Sequence, residues 1–395
     1  MKKALEDILV LDLSQIYQGP YCTLLLAYQG AKVIKIENPN GDLLRHRVAD
    51  KNPHEFLMFN SNKRGMTLNL KTDEGRNIFL EMAKKADVVV ENFTPGVMKR
   101  LGIDYETLKE INPRIIYASA TGFGLEGPYK DFPGMDLTLQ AISGIMATTG
   151  FPESPPVKAG PAICDLLGGI HLYGGITTAL FHRERTGVGQ LVEVSMHDTV
   201  YPSLASALSA YYEGGGSLPQ RTGNRHSGLR MAPYNVYETS DGHVAIICVS
   251  EKHWENLATL MGKENLIGQR GYKNTIERSS NMEVVDDMIT AWTQEHKKWD
   301  LVDKLRKARV PCSPVLTIDE VANDPHLKSR EMIKEVNHPV AGITMVPGNP
   351  IRLSKSTLGE VKPSPYLGEH TEVILKEMLN TDQEQVFQLR AEGII

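Results

Sequence analysis

One carboxylate occupies an unusual setting in the middle of the chain. Asp165 stands in the stretch AGPAICDLLGGIHLYGGI, among apolar residues and glycines at positions 168, 169, 174 and 175. A charge in apolar company is costly unless it is capped, paired or used in chemistry. The small residues leave room for another backbone or a ligand to approach. Two interpretations stay open here: Asp165 is an ordinary helix N-cap after Gly160-Pro161, or it is a nucleophilic carboxylate.

A run of three glycines, Gly214 to Gly216, is a second candidate for a role in chemistry. Such a run can act as a mobile lid whose backbone N–H groups stabilise a developing oxyanion. It is also typical of a flexible linker between domains, which the run taken alone favours.

Six basic residues lie near predicted strand ends or in the loops between elements. Their charged groups suit the phosphates of a large anionic ligand, and each is also explained as solvated surface charge. They are Arg45, Lys63, Arg64, Lys71, Lys99 and Arg100.

Other kinds of site are not indicated. The histidines show no HxxxH or HExxH spacing and no GxSxG motif occurs, so we expect neither a metal site nor a serine nucleophile of that type. Four cysteines without CxxC spacing suggest reduced thiols in a cytoplasmic protein. A net charge of −5 argues against a nucleic-acid partner. No apolar run approaches the length of a membrane span and the acidic start resembles no signal peptide, so we expect no membrane association.

The elements that must position these residues follow a strand–helix alternation. This pattern predicts a mostly parallel sheet covered by helices, with ligands beyond the carboxyl ends of the strands. The turn SQIYQGPY lacks GxGxxG, so Glu37 at the end of the second strand does not indicate a nicotinamide site. The predicted strands are 8–13, 31–37, 87–93 and 114–124, and the predicted helices include 21–30 and 74–86. The segments just beyond the carboxyl ends of these strands are 14–19, 38–42, 92–96 and 121–127.

The second half of the chain has a different pattern. After residue 185, a strand and a helix ending at the glycine run are predicted, followed by a hairpin that turns at Ser240-Asp241-Gly242. The spacing of Thr381 and Glu384 predicts a capped helix near the end of the sequence.

Taken together, these segments resemble the family III coenzyme A transferases, which include formyl-CoA transferase and carnitine CoA-transferase. The likeness extends over nearly the whole chain. The segments that carry it are VLDLSQIYQGP, GAKVIKIENPNGDLLR, FNSNKRGMTLNLK, DVVVENFTPGVMKRLG, NPRIIYASATGFG, ATTGFPESPP, the Asp165 segment, RTGVGQLVEVSM, VPCSPV and LGEHTEVI.

The resemblance implies an α/β fold of a particular kind. A Rossmann-like large domain over 1–199, completed by 326–395, would be joined through a linker, 200–219, to a smaller α+β domain over 220–325. The subunit would be a ring with a central hole, and two subunits would interlock as a homodimer.

The resemblance also implies a reaction. Coenzyme A would move from an acyl-CoA donor to a carboxylic acid through an aspartyl anhydride and an aspartyl-CoA thioester, with Asp165 as the nucleophile. CoA would be a substrate, and no tightly bound cofactor is expected.

Further site residues follow from positions that match the family's motifs. Those expected to support the active site are Gln15, Asp136, Gly214, Gly215 and Gly216, and those expected to contact CoA are Tyr17, Gln18, Leu68, Lys71, Asn92, Phe93 and Arg100. Three departures argue against formyl or oxalyl substrates: formyl-CoA transferase has His at the position of Gln15, Gln at that of Tyr17 and Arg at that of Asn38.

Two alternatives share the predicted CoA site. An α-methylacyl-CoA racemase needs two proton-transfer groups, and the family's His in its GHD segment is Met135 here, which cannot accept a proton. A non-catalytic CoA-binding subunit of a heteromeric transferase would be expected to lack the nucleophile, and Asp165 is present.

The acceptor acid is not determined by the sequence. Two groups of residues are candidates for the acid-binding region: one would suit a larger, partly apolar acid, and the other would pair a second carboxylate. The first group is Tyr17, Met135, Tyr211, Tyr212 and Met231. The second group is Arg221, Arg225 and Arg230.

Overall fold

A computed structural model describes residues 2–49, 53–215, 219–357 and 359–395. Its strands are β1 (Leu9–Asp12), β2 (Lys32–Glu37), β3 (Arg64–Thr67), β4 (Val88–Glu91), β5 (Ile116–Thr121), β6 (Leu191–Ser195), β7 (Tyr234–Thr239), β8 (Gly242–Ile247), β9 (Cys312–Pro314), β10 (Ile333–His338) and β11 (Gly342–Pro347).

The α-helices are α1 (Gln18–Tyr28), α2 (His54–Asn60), α3 (Asp73–Ala83), α4 (Val97–Arg100), α5 (Tyr105–Ile111), α6 (Asp136–Ile142), α7 (Ile145–Thr148), α8 (Ile163–Thr186), α9 (Met196–Val200), α10 (Ala205–Gly214), α11 (Glu251–Leu260), α12 (Thr275–Ser280), α13 (Met282–Thr293), α14 (Lys298–Lys307), α15 (Ile318–Ala322), α16 (Pro325–Ser329), α17 (Thr371–Leu379) and α18 (Gln383–Ala391). Short 3₁₀ helices occupy Leu43–Arg47, Tyr201–Leu204 and Glu264–Leu266.

The chain divides into two units. One consists of Met1–Leu139, Pro161–Tyr201 and Asp324–Ile395, and the other of Gln140–Gly160 and Pro202–Asn323. The segment 200–219, predicted as a linker, is helical over α10.

The first unit is built on a six-stranded sheet with strand order β3-β2-β1-β4-β5-β6. All neighbouring strands in this sheet are parallel, as the alternation of strands and helices predicts. The order reverses between β1 and β4. Ligands of open α/β sheets bind beyond the carboxyl ends of the strands at such a point.

Both faces of this sheet are covered by helices. Leu11 and its same-face neighbours pack against α3, α5 and α17. Val10, the adjacent residue, points to the opposite face, where α1 and α8 cover the strands. Successive strand residues alternate between faces, and burial on both sides explains why the central strands β1 and β4 are mostly apolar.

The last helix, α18, confirms the predicted capped helix near the end of the sequence, but its capping residues differ from the predicted ones. Its N-cap is Asp382, whose side chain accepts from the N–H of Gln385 in a reciprocal capping box. The predicted pair Thr381 and Glu384 therefore lies one residue too early. Both spacings satisfy the same pattern, and the cap is chosen by where the preceding chain lets the helix begin.

The second unit contains a three-stranded antiparallel sheet, ordered β7-β8-β9. Strands β7 and β8 form the hairpin predicted around Ser240-Asp241-Gly242. Trp254 of α11, Ile289 of α13 and Leu301 of α14 belong to the core beside this sheet.

The longest helix that the structure describes, α8, is long and apolar enough, by length and composition alone, to cross a membrane. Its apolar residues have a role within the fold, because Leu172, Ile176 and Leu180 pack against the central sheet. Core helices of globular proteins often share this length and composition, so α8 is weak evidence for a membrane span.

Candidate active site

A cavity of about 240 Å³ lies in the first unit at the carboxyl ends of β1, β4 and β5. Three of the four predicted strand-end segments contribute to its wall. The lining residues are Gln15, Ile16, Gln18, Leu43, Asn92, Phe93, Thr94, Pro95, Ala120, Thr121, Gly122, Phe123, Lys130, Phe132, Gly134, Met135, Asp165 and Met196. The candidate site therefore lies at the reversal of strand order.

A buried polar network holds the turn after β1. Asp12 accepts hydrogen bonds from Ser14 Oγ at 2.5 Å, Thr23 Oγ1 at 2.6 Å and Lys63 Nζ at 3.0 Å. Burial raises the pKa of Asp12, but Lys63, Lys35 and these hydrogen bonds outweigh it and the pKa is lowered overall. The same burial lowers the pKa of Lys63 to about 8. This network anchors the start of the segment that enters the cavity wall.

Asn92 joins the two loops at the reversal point. Its Oδ1 accepts from the Gln15 N–H at 2.7 Å, and its Nδ2 donates to the Gln15 carbonyl at 2.8 Å. Ile16, which follows Gln15 in the chain, has a φ of 67°, which is rare for a β-branched side chain. Such strain persists only where the surroundings hold it, and it clusters at functional sites. The Asn92 side-chain amide therefore holds the backbone of Gln15 in the cavity wall.

Asp165 is the third residue of α8 and does not cap it. The N-cap is Ala162, which has no side-chain cap hydrogen bond. Instead, Asp136 Oδ2 accepts from the N–H groups of Cys164 at 2.9 Å and Asp165 at 3.2 Å. The N-cap interpretation of Asp165 is therefore wrong, because a residue 29 positions earlier performs that role.

The Asp165 carboxylate is buried without compensation. The residue is 7% exposed, and in the described ranges no group donates a hydrogen bond to its carboxylate. Burial, followed by the charge of Asp136, raises its pKa to about 7, and only Arg47 acts in the opposite direction. A desolvated, unpaired carboxylate facing a cavity is arranged for use as a nucleophile or base.

The neighbouring thiol does not compete for this role. Burial and the charges of Asp136 and Asp165 raise the pKa of Cys164 to about 12. A thiol with that pKa is un-ionised at neutral pH and is a weak nucleophile.

The raised pKa of Asp165 implies that the free energy of unfolding depends on pH. Because the pKa of Asp165 rises from 3.8 to about 7 on folding, the folded protein binds an extra proton between these values. Its stability therefore falls as the pH rises through this range. We expect Asp165→Asn to raise the free energy of unfolding by about 2 to 4 kcal/mol at pH 8.

Chemical denaturation of both proteins from pH 4 to pH 8 measures this difference. The increase in the free energy of unfolding caused by Asp165→Asn should be small near pH 4, grow with pH and level off above about pH 7. A gain that is constant with pH, or a loss at pH 8, would show that burial does not disfavour the Asp165 charge.

The glycines after Asp165 serve close packing of α8 on α1. A Cβ on Gly168 would lie 2.6 Å from Gln18 Nε2, and one on Gly169 would lie 2.6 Å from the Gln18 carbonyl oxygen. Gln18 is 2% exposed, and its Nε2 has no hydrogen-bond partner within the described residues. These glycines therefore bring an unsatisfied amide beside the helix face that carries Asp165.

The predicted CoA contacts differ in their placement. Gln18, Asn92 and Phe93 line the cavity. Tyr17 does not line the cavity. Its hydroxyl instead donates to Glu55 at 3.2 Å and accepts from Arg47 at 2.9 Å.

Three other predicted contacts lie outside the cavity lining. Leu68 is 1% exposed and packs in the core, so its side chain is not available to a ligand. Lys71 and Arg100 are exposed, after β3 and in α4.

Half of the basic residues considered from the sequence are already paired. Arg45 binds both carboxylate oxygens of Glu37, which also removes Glu37 from any contact with a nucleotide ribose. Lys63 pairs with Asp12, and Arg64 pairs with Glu377. Lys71, Lys99 and Arg100 have no carboxylate partner among the residues that the structure describes.

The glycine run lies in the second unit. Gly214 ends α10 and Gly215 is its C-cap in the left-handed region, with a φ of 62°. Gly216 lies outside the described residues, and the role of the run as a lid stays a prediction.

The arginines considered for a second carboxylate also have protein partners. Arg225 pairs with Asp286 at 2.8 Å, and Arg230 pairs with Glu213. Arg221 Nε donates to the Phe151 carbonyl at 3.3 Å.

Sequence reasoning missed two cations near the candidate site. Arg47 acts on the Asp165 charge, and Lys130 lines the cavity. Lys130 lies three residues beyond the predicted strand-end segment 121–127 and belongs to no local motif, so only its place in the cavity lining identifies it.

Comparison with known proteins identifies the family. A profile described as CoA-transferase family III matches residues 5–371. The chain belongs to CoA-transferase family III. The family predicted from the sequence segments is thereby confirmed.

Similar proteins include two named transferases. The succinyl-CoA:mesaconate CoA-transferase of Haloarcula marismortui is 40% identical over 386 residues, covering 95% of this chain and 96% of that protein. The formyl-CoA:oxalate CoA-transferase of Streptomyces avermitilis is 36% identical over 417 residues, covering 100% of both.

The fold class is shared with a solved member of the family. The crystal structure of a CAIB/BAIF family protein from Brucella suis has a TM-score of 0.84 and 34% identity, covering 96% of this chain and 100% of that one. This likeness confirms the α/β fold class with its parallel sheet.

Proposed function

We propose that this protein transfers coenzyme A from an acyl-CoA to a carboxylic acid, with Asp165 as the nucleophile. The observation that carries the proposal is the Asp165 carboxylate itself, which is buried, receives no hydrogen bond from the described residues and faces the cavity at the reversal of strand order. The similar proteins named above are CoA-transferases that act on acyl-CoA and carboxylic acid pairs.

The first half of the reaction moves CoA onto the protein. An Asp165 oxygen attacks the thioester carbonyl, the C–S bond breaks, and a mixed anhydride and CoA thiolate result. The thiolate then attacks the Asp165 carbonyl carbon of the anhydride. The donor acid leaves as its carboxylate, and Asp165 becomes an aspartyl-CoA thioester.

The second half reverses these steps with the acceptor acid. The acceptor carboxylate attacks the aspartyl thioester and releases the thiolate, forming a second anhydride. The thiolate attacks the acceptor's carbonyl carbon, which yields the new acyl-CoA and restores the Asp165 carboxylate. No net proton is consumed, and the free energy of the thioester is retained while water is kept out.

The surroundings of Asp165 support these steps. Burial removes water that would otherwise solvate the attacking carboxylate and hydrolyse the anhydride. In this proposal the Gln18 amide, whose Nε2 has no partner in the described chain, donates to the oxygen of the acyl carbonyl. Donors placed at a developing oxyanion stabilise the transition state.

The nucleotide end of CoA would bind outside the cavity. Lys71, Lys99 and Arg100 are exposed cations that follow β3 and β4 along the chain. In the proposal they pair with the phosphates. CoA is a substrate here rather than a resident cofactor.

Racemisation receives less support from the site. The position of the racemase His is Met135, which lines the cavity and cannot transfer a proton. A racemase needs two proton-transfer groups on opposite sides of the α-carbon.

The assay that tests the proposal uses the purified protein alone. It is incubated with a panel of acyl-CoA donors and carboxylic acids, and CoA esters are measured by mass spectrometry. We expect one new acyl-CoA for each donor consumed, without accumulation of free CoA. Deuterium incorporation into a 2-methylacyl-CoA without transfer would indicate racemisation. Inactivity restored only by a second protein would indicate a subunit of a heteromeric enzyme.

The quaternary structure is part of the same proposal. We infer from the family resemblance that the subunit is a ring and that two subunits interlock in the cytoplasm. Sedimentation should then give a dimer that does not exchange labelled subunits under native conditions, since linked rings separate only on unfolding. A monomer, or rapid exchange, would contradict this assembly.

A further inference from the structure

We propose that Lys63 is a positioning residue for CoA transfer: its buried ammonium group fixes the first turn of α1, so that the Gln18 amide faces the reacting acyl carbonyl beside Asp165. This inference rests on the proposed function, in which the Gln18 amide donates to the oxygen of that carbonyl. Lys63 does not line the cavity, and it acts through the helix that begins with Gln18.

The ammonium group of Lys63 joins three elements in the interior of the first unit. It donates to the Asp12 carboxylate of β1 at 3.0 Å, to the Asn60 side-chain carbonyl of α2 at 2.9 Å and to the Pro20 backbone carbonyl of α1 at 3.1 Å. The Lys63 side chain is fully buried. An ammonium group has three N–H donors, so these three acceptors use its full capacity.

The start of α1 depends on such contacts because it lacks a local cap. Its N-cap residue makes no side-chain cap hydrogen bond, and helix ends without partners fray. Other elements hold the first turn instead. Lys63 binds the Pro20 carbonyl, and Asp12 accepts from the Thr23 hydroxyl at 2.6 Å. The buried charges therefore fix the place of Gln18, the first residue of α1.

The Gln18 side chain lies where a shift of α1 changes its direction. It is buried, and its Nε2 has no hydrogen-bond partner within the described residues. A Cβ on Gly168 would lie 2.6 Å from that nitrogen, so the amide packs on α8 about one turn after Asp165. Since no hydrogen bond to the described chain holds Nε2, packing and the position of α1 set its direction.

Loss of one proton from Lys63 would release one of its three acceptors. A neutral amine has two N–H donors, and a buried carboxylate is the costliest acceptor to leave unpaired. Asp12 therefore keeps its bond, and the Pro20 or Asn60 carbonyl loses its donor. Asp12 also loses one of its two positive neighbours. Misplacing a catalytic group by about 1 Å can cost about 100-fold in rate.

The groups around Lys63 predict where this proton is lost. The charged and titratable groups that face it are Asp12 on β1, Lys35 on β2, Cys22 on α1 and Asp42 after β2, while α2 contributes the neutral Asn60. Burial lowers the pKa of Lys63 to about 8, although Asp12 acts in the opposite direction. The pKa of Asp12 is lowered, and the pKa values of Lys35 and Cys22 are raised. These three groups therefore do not titrate near pH 8.

The pH dependence of the unaltered protein is the first test. The kcat for the best donor and acceptor from the transfer assay is measured from pH 6 to pH 10, with thioester hydrolysis in the absence of protein subtracted and circular dichroism recorded at each pH. We expect kcat to fall by roughly tenfold between pH 8 and pH 10 while the protein stays folded. A kcat that stays level over this range overturns the inference.

A double-mutant cycle tests whether Lys63 acts through Gln18. Gln18→Ala should lower kcat by about 100-fold, as loss of an oxyanion donor does. Lys63→Met should lower kcat by roughly 10- to 100-fold with little change in KM, because no substrate contact is removed. In the Gln18→Ala background, Lys63→Met should cost less than about threefold more. A merely structural loss would add in full.

A second variant removes both buried charges. Asp12→Asn combined with Lys63→Met leaves no unbalanced carboxylate if Lys63→Met alone fails to fold. It should show the same loss of kcat and no decline above pH 8.

Arg183→Met is the matched control. Arg183 is a buried cation that pairs with Asp87, just before β4, at the amino ends of the strands. Its replacement should lower the free energy of unfolding and leave kcat and the pH dependence of kcat unchanged.

The results distinguish three failures. Absence of transfer with every donor and acceptor overturns the proposed function together with this inference. An unchanged kcat in Gln18→Ala overturns the oxyanion role of Gln18 and the inference with it. Additive losses in the cycle, or the same alkaline decline in the variant without either charge, overturn the role of Lys63 alone.

Discussion

Asp165→Asn should lower the rate of CoA transfer by about 10⁴-fold or more, because an amide cannot form the anhydride on which every step depends. The protein should remain folded, since the substitution also removes a buried charge. Rates of acyl-CoA exchange by the purified variant measure the loss. Asp131→Asn is a matched control: Asp131 is exposed, lies outside the cavity lining and should be dispensable.

A label distinguishes covalent participation from a merely electrostatic role of Asp165. An acceptor acid carrying oxygen-18 in its carboxylate gives one labelled oxygen to Asp165 when the second anhydride is cleaved. After turnover, the peptide containing Asp165 should therefore gain the heavy isotope. Turnover without label in that peptide, together with full activity of Asp165→Ala, would exclude the nucleophile.

Gly169→Ala should destabilise the protein by about 1 to 3 kcal/mol, although alanine is the better helix former. A Cβ at this position would lie 2.6 Å from the carbonyl oxygen of Gln18. That oxygen belongs to the backbone of α1 and cannot rotate aside, so α1 must move away from α8. Because Gln18 and Asp165 line one cavity, transfer should slow as well.

Gly174→Ala is the matched control within the same helix. A Cβ there meets no atom within 4 Å, so only the helix propensity changes. We expect a gain of about 0.5 to 1 kcal/mol and unchanged activity. Urea denaturation compares the two variants, and equal effects of the same sign would show that close packing of α8 on α1 does not explain Gly169.

Much of the first unit could be predicted from local pattern. Apolar residues dominate β1 and β4 because strands buried on both faces carry little polarity, and apolar residues between turn signals also mark β2 and β5. The carboxyl-end rule then places Asn92, Thr121 and the turn after β1 at one edge of the sheet, where they line the cavity. β3 was not predicted, since its four residues, RGMT, have no apolar run.

The residue types of the candidate site were also visible in the sequence, but their surroundings were not. Spacing placed Asp165 near a helix start and could not distinguish a cap from a buried group. Tertiary packing decided this, because Asp136 approaches across 29 positions and binds the backbone of Cys164 and Asp165. Local propensity carries no information on such a contact.

The sequence by itself determined the alternating strands and helices, the family and the small residues around Asp165. Only the tertiary structure decided which charges are paired, as in Arg45 with Glu37, and which carboxylate is buried at the cavity, as in Asp165. The physical reason is that ion pairing, desolvation and cavity shape depend on distances between residues far apart in the chain. Hydrophobic periodicity reports only which face of each element is buried.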